Sequence, residues 1–151
     1  GESVFLVAPY EAQRSLLGEV GASLAGKLVV SVVSPVVFAG GRPKTIAVEE
    51  GSAAQQAQRL LPDSQVAAAF HHVSATDLWA TERRLEGDVL VCADDTDTKA
   101  RAMELVRMVV ALRPVDAGGL ENARYVEEFT ALLMELNRLH RAHTSVRILG
   151  V

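Results

Sequence analysis

Val4 to Ala8 is apolar at every position, and Leu28 to Val33 is apolar except at Ser31. A strand that alternates apolar and polar residues buries one face only, whereas a strand without alternation needs cover on both. The arrangement that supplies such cover is a mainly parallel sheet with helices on its two sides, so the chain is expected to be an α/β protein.

The rest of the chain reads in the same terms. Val4 to Ala8 stops at Pro9 and a helical stretch follows from Glu11. Leu28 to Val33 ends at Ser34-Pro35, and Ala39-Gly40-Gly41-Arg42-Pro43 reads as a loop. Gly51-Ser52 opens a helix, because Ser52 and Gln55 have capping-box spacing, and Leu60-Leu61-Pro62-Asp63 closes it. Val66 to Phe70 is a third strand and Asp88 to Ala93 a fourth, leading through Asp94-Asp95 into a helix from about Thr96 to Ala111. Arg113 to Ala117 is a fifth strand, ended by Gly118-Gly119. The longest helix runs from Glu121 to about Leu139, and Val146 to Leu149 makes a short final strand. The alternation predicts a partial Rossmann-like, doubly wound, mainly parallel sheet with a long C-terminal helix.

With 151 residues and 49% apolar side chains, one core and a single domain over 1–151 are expected. The longest apolar stretch, Leu28 to Ala39, is interrupted by Ser31, Ser34 and Pro35 and is too short to span a bilayer, and no charged-then-apolar leader opens the chain. A formal net charge of -4 argues against a general nucleic-acid binder, which needs a positive footprint. The lone Cys92 excludes an internal disulfide and suits a reducing cytoplasm.

Within the long helix, Val126, Phe129, Leu133 and Leu136 form one apolar stripe, and Tyr125, Leu132 and Leu139 a flanking one. One stripe can serve the core of the chain and the other the same helix of a second subunit, so a homodimer through helix 121–139 is expected, against the alternative of a helix sunk in its own monomer. Only three residues precede the fully apolar first strand, and none of the eleven glycines forms Gly-x-Gly-x-x-Gly. The expectation is that the strands that should pair with the first strand, and a dinucleotide fingerprint with them, lie outside this chain, lost or supplied by a separate one.

Val4-Phe5-Leu6-Val7-Ala8-Pro9-Tyr10-Glu11 resembles the fourth strand and following turn of the NADP-dependent reductases of coenzyme F420, whose first three strands carry the dinucleotide fingerprint. The resemblance continues in order through Glu50 to Gln56, Val66 to Ala75, Asp88 to Asp95, Asp116 to Asn122, Asn137-Arg138 and His143 to Ile148. It implies hydride transfer between NADP(H) and the deazaflavin, in which the protein stacks two carrier rings and keeps water out, with few acid-base residues. By the same resemblance, His71, Val73, Thr130 and the Thr144-Ser145-Val146 segment belong to the coenzyme F420 pocket, while Pro9 and Ala75 lie near the nicotinamide of NADP. Two other readings stay open: a stand-alone coenzyme-binding or dimerisation module without turnover, and a related NADP-linked flavin reductase.

Each residue also has a plainer reading. His71 and His72 follow a strand, where histidines commonly serve as turn residues, and His72 is expected to face solvent. Thr130 can return its hydroxyl to its own helix. Cys92 is read as an inert core residue, and His140 with His143 as too small a set for a metal. Arg138, His140, Arg141, His143 and Arg147 suit either an anionic coenzyme tail or the negative end of a helix. Glu128 stands two places before Thr130, where the resemblance implies a small residue, and Arg124 is spaced to hold it aside as an i, i+4 pair.

Overall fold

The computed structural model describes residues 2–79 and 85–151. β1 (Ser3–Leu6), β2 (Leu28–Ser31) and β5 (Gln65–Ala68) form a three-stranded parallel sheet in the order β1-β2-β5. α1 (Tyr10–Val20) connects β1 to β2, and α2 (Ala53–Leu60) precedes β5. β6 (Gly87–Val91) and β7 (Leu112–Asp116) pair in parallel with each other, with α4 (Thr96–Arg107) between them. They join the first sheet through one antiparallel bridge, in which Ala68 and Cys92 exchange N–H···O bonds of 2.8 and 3.0 Å. The expected parallel run therefore reverses at this point.

Burial explains the absence of alternation. All four residues of β2 are buried, because Val29 joins one core and Leu28 and Val30 the other. On the first face Leu17 of α1, Ala53, Ala54 and Ala57 of α2, Leu120, and Ala123 and Val126 of α5 (Ala123–His140) close over the sheet. On the second, Ala102 and Val106 of α4 cover Ala67, Val89 and Val91. Small residues on both helices let them approach the sheet closely, and each fully enclosed Leu or Val contributes about 1.5–3 kcal/mol. α4 leaves the β1 side of its face open, where Phe5 remains 47% exposed.

The expected Ser52 cap forms, and Asp95 caps the next long helix as well. Ser52 Oγ accepts from Gln55 N at 3.0 Å at the start of α2, and Asp95 Oδ2 accepts from Thr98 N at 2.7 Å at the start of α4. Two expectations fail locally, and one element was not foreseen. Residues 39–43 are not an open loop: β3 (Val36–Ala39) and β4 (Arg42–Thr45) make an antiparallel hairpin. Its turn is Gly40-Gly41 with φ of 59° and 74°, the left-handed pair that two-residue hairpins require. Pro43 is tolerated because β4 lies at an edge. A short helix, α3 (Ala75–Trp79), follows β5 without having been foreseen. The Val146 to Leu149 strand is absent: that segment only lies along β6, through Asp88 N to Val146 O at 2.7 Å and Ile148 N to Asp88 Oδ2 at 2.6 Å.

Along α5 one stripe turns inward, with Val126 and Leu133 buried and Phe129 and Leu136 half-buried. The other stays open, Tyr125, Leu132 and Leu139 being 64%, 51% and 58% exposed. Among the described residues no helix is long and apolar enough to cross a membrane.

Candidate functional site

The site begins where the chain leaves β5. Phe70 takes φ of 66°, an unusual conformation for a bulky residue, and the turn it makes sends both His71 and His72 inward. His72 is thus buried and does not face solvent as expected, because its Nε2 lies 3.1 Å from Val126 O and its ring packs edge-on to Phe129. His71 and Val73 line a cavity of about 450 Å³ at the C-terminal end of the parallel strands, where ligands bind in open α/β sheets. Ala75 from α3, Thr130 from α5 and Thr144 from the C-terminal segment line it as well. Three segments distant in sequence therefore meet around one space.

The walls are mainly apolar, with Val32, Val36, Phe70 and Leu133 among them, and the threonine and serine hydroxyls among the polar groups are tied down. Ser34 Oγ donates to Thr130 Oγ1 at 3.2 Å, and the Thr130 hydroxyl lies 3.3 Å from His71 O and 3.4 Å from Val126 O. It thus touches its own helix, as the plainer reading has it, and also fastens α5 to the turn after β5. Thr144 binds Asn137 Oδ1 through its N–H at 2.7 Å and its hydroxyl at 2.8 Å. Both ring nitrogens of His71 and Nδ1 of His72 are enclosed without a well-formed hydrogen bond, the Val33 backbone being a polar influence on His71. Burial, with a smaller push from His72, takes the His71 imidazole down to about 3, and burial lowers His72 too, so the pair is neutral at pH 7.

Two carboxylates on α5 behave oppositely. Glu128, which stands where the resemblance implies a small residue, is exposed and does not line the cavity. Arg124 does not hold it: its guanidinium carbon sits 5.9 Å from the Tyr125 ring centroid, and among the described residues it forms no ion pair with Glu128. Glu127 is fully buried instead and accepts from Ala53 N at 2.8 Å and Ala54 N at 3.0 Å, fastening α5 to the first turn of α2. Burial raises its carboxyl to about 7 against the pull of those two N–H groups.

The remaining expected residues lie around this cavity. Ser145 lines a neighbouring space of about 390 Å³ that shares His72, Val73, Ser74 and Thr144 with it. Val146 is buried beside β6. Pro9 reaches neither space: it is exposed and serves as the N-cap of α1. Arg113 anchors the C-terminal segment that carries Thr144, gripping Asp88 through Nε to Oδ1 at 2.8 Å and Nη2 to Oδ2 at 2.7 Å, and donating to Ile148 O at 2.6 Å. The Arg113 guanidinium holds the Asp88 carboxyl down at about 2. His143 Nδ1 lies 3.0 Å from Asp77 Oδ2, and Arg138 and Arg147 pair with Glu135 and Glu86. Cys92 is buried and its thiol is pushed up to about 11, in keeping with an inert core residue. On the far side of Phe70 and Val73 lies an apolar groove of about 520 Å³, floored by Phe5 and Val7 of the β1 side and walled by Leu105, Met108 and Trp79.

No family model matches the chain. The F420-dependent NADP reductase of Methanothermobacter marburgensis is 36% identical over 144 residues, covering 93% of this chain and 64% of that protein. That of Methanocaldococcus jannaschii is 33% identical over 151 residues, covering 98% of this chain and 68% of that one. The chain belongs to the F420-dependent NADP reductase family. A crystal structure from Arthrobacter sp. FB24, proposed by its name to be an F420-dependent NADP reductase, superposes with a TM-score of 0.86 over 100% of this chain and 70% of that one, at 21% identity, and shares the fold. The chain spans about two-thirds of the length of the F420-dependent NADP reductases it matches.

Sequence reasoning missed several members of the site, among them these four. Ser34, Phe38 and Met134 line the cavity, and Glu127 locks the helix that carries Thr130. Glu127 carried a readable signal, an acid in the apolar series Ala123, Val126, Thr130 at helical spacing. Ser34 and Phe38 lacked one, because their place depends on how the chain folds into and just before the β3–β4 hairpin, and Met134 lacked one because it is one of many apolar residues on α5.

Proposed function

We propose that this chain is the deazaflavin-binding part of an oxidoreductase that passes a hydride between NADP(H) and coenzyme F420. The observation that carries this reading is the meeting of His71, Val73, Thr130 and Thr144, four of the six residues expected at the deazaflavin, around one cavity of a size that takes a flat ring system, which Ala75, expected near the nicotinamide, also lines. When bound, the deazaflavin supplies the carbon that accepts or gives up the hydride. The chain's own part is to hold the ring between apolar walls, keep water out and present no titrating imidazole, since His71 is neutral through the physiological range.

The residues present fit the deazaflavin better than the dinucleotide. A pyrophosphate rests on free N–H groups at a helix N-terminus. The N–H groups that open α2 are taken by Glu127 and Ser52, and Asp95 takes that of Thr98 in α4; α1 and α5 open without a side-chain cap, but neither follows a Gly-x-Gly-x-x-Gly turn. The NADP lobe therefore belongs to strands supplied from outside this chain, and the outer edge of β1 with the apolar groove beside it is the surface left for them. The exposed stripe of Tyr125, Leu132 and Leu139 supports a homodimer through α5, and the buried free Cys92 suits the cytoplasm.

Fluorescence titration of the isolated chain with coenzyme F420, and calorimetry with NADP, test the reading together. F420 should bind without NADP, and NADP should bind at about millimolar Kd or not measurably. A folded chain that ignores F420, or that binds NADP at micromolar Kd, refutes it.

A further inference from the structure

Phe38 is a large apolar side chain that the core does not use. It is 68% exposed, yet with Val36 on the same side of β3 it lines the cavity that holds His71 and Thr130. Leaving a Phe in water forgoes most of what its burial would contribute, so its place on a cavity wall calls for a partner absent from the protein itself. The strand that carries it is held in place: β3 pairs with β4 through the Gly40-Gly41 turn, and β4 packs on α5. On α5, Met134 is also exposed (38%) and lines the same cavity. An aromatic face and a polarisable thioether on a rigid frame suit the face of a flat heteroaromatic ring, through stacking and sulfur–aromatic contact.

We infer that Phe38, with Met134 lining the same cavity, is a binding residue that packs on the face of the coenzyme's ring system. This rests on the proposed deazaflavin reading of the cavity. The residue acts on affinity by contact, so an aromatic replacement should keep its effect and an aliphatic one should not.

Coenzyme F420 titrations of the wild type, Phe38→Ala, Phe38→Leu and Phe38→Tyr, each with a thermal melt and sedimentation, test it. Phe38→Ala and Phe38→Leu should raise Kd about five- to tenfold, and Phe38→Tyr should stay within about twofold. Tm should hold in all four, because the side chain is mostly exposed. Wild-type affinity in both aliphatic variants overturns the inference, as does a change in sedimentation without a change in Kd, which would assign Phe38 to a subunit contact. Absence of binding by the wild type itself would instead overturn the reading of the cavity on which the inference rests.

Discussion

Glu127 should make this fold less stable as pH rises, and the effect should vanish in Glu127→Gln. Its carboxyl is raised from an ordinary 4.5 to about 7 by burial. Between those values the folded chain keeps a proton that the unfolded chain has released, so stability falls with increasing pH: the contribution is whole below pH 4.5 and gone once pH passes 7. At about 1.4 kcal/mol per pH unit the loss is about 3 kcal/mol. His71 titrates the other way. Its folded value lies near 3, so its contribution is present above 6.5 and lost as pH falls toward 3. The wild-type profile mixes the two, and the paired variant isolates Glu127. At pH 5 the amide can accept from only one of Ala53 N and Ala54 N, so Glu127→Gln should be less stable by about 1–2 kcal/mol. At pH 8 the gap should close or reverse. Urea unfolding of both proteins at pH 5 and pH 8 measures it. A gap that widens with pH would refute the reasoning, since it would mean that two N–H groups and the positive end of α2 stabilise the charge by more than burial penalises it.

Two further outcomes follow from the packing. Leu132→Glu, placed in the exposed stripe of α5, should convert a dimer to monomer in sedimentation without lowering Tm much, and a wild type already monomeric at micromolar concentration would contradict the dimer outright. Asp88→Asn should weaken the grip of Arg113 on Ile148 and the C-terminal segment, lowering Tm by a few degrees at pH 7. Because Asp88 is held down at about 2, the difference should be full above pH 3.8 and fade as pH falls toward 2.

The strands were readable where an apolar run lacks alternation: Leu28 to Val33 because the sheet is covered on both faces there, and Val4 to Ala8 although Phe5 and Val7 stay exposed on the face that α4 leaves open. Helix starts were readable where a side chain caps its own first turn, as Ser52 and Asp95 do. What failed depended on partners distant in sequence. Val36 to Thr45 carries the Gly-Gly signal of a hairpin, but Pro35 and Pro43 make it look like a loop, and only packing on α5 settles the outcome. Val146 to Leu149 has strand composition, yet Asp88 captures Ile148 N with its carboxylate and the ladder stops there. His72 seemed free to face water because nothing in the sequence reveals that Phe70 turns left-handed and drives two successive side chains inward. The pocket residues themselves came from family resemblance, and chemistry alone would not have chosen Thr130 over any other mid-helix threonine.

The distribution of cover over the sheet bears on how two carriers would meet. α1, α2 and α5 close one face, while α4 closes only part of the other and leaves the groove beside β1. Val32, Phe70, Val73 and Ala75 line both that groove and the cavity of His71. These four side chains are thus a boundary rather than the wall of one site. Hydride transfer requires two rings in contact with nothing between them, so in the proposed reading the two carriers meet past the rim of this boundary and not across it, while its apolar side chains exclude water without contributing a charge or a proton. In the proposed reading, the ring held by this chain lies on the cavity side, and the lobe that brings the nicotinamide docks over the groove. Ala75, expected beside the nicotinamide, stands at that junction, and Pro9, expected there too, lies away from it at the head of α1. The left-handed turn at Phe70 then has a physical purpose. A relaxed residue at that point would carry the chain onward without turning it, whereas this conformation turns one aromatic ring into the boundary and two neutral imidazoles into the cavity behind it.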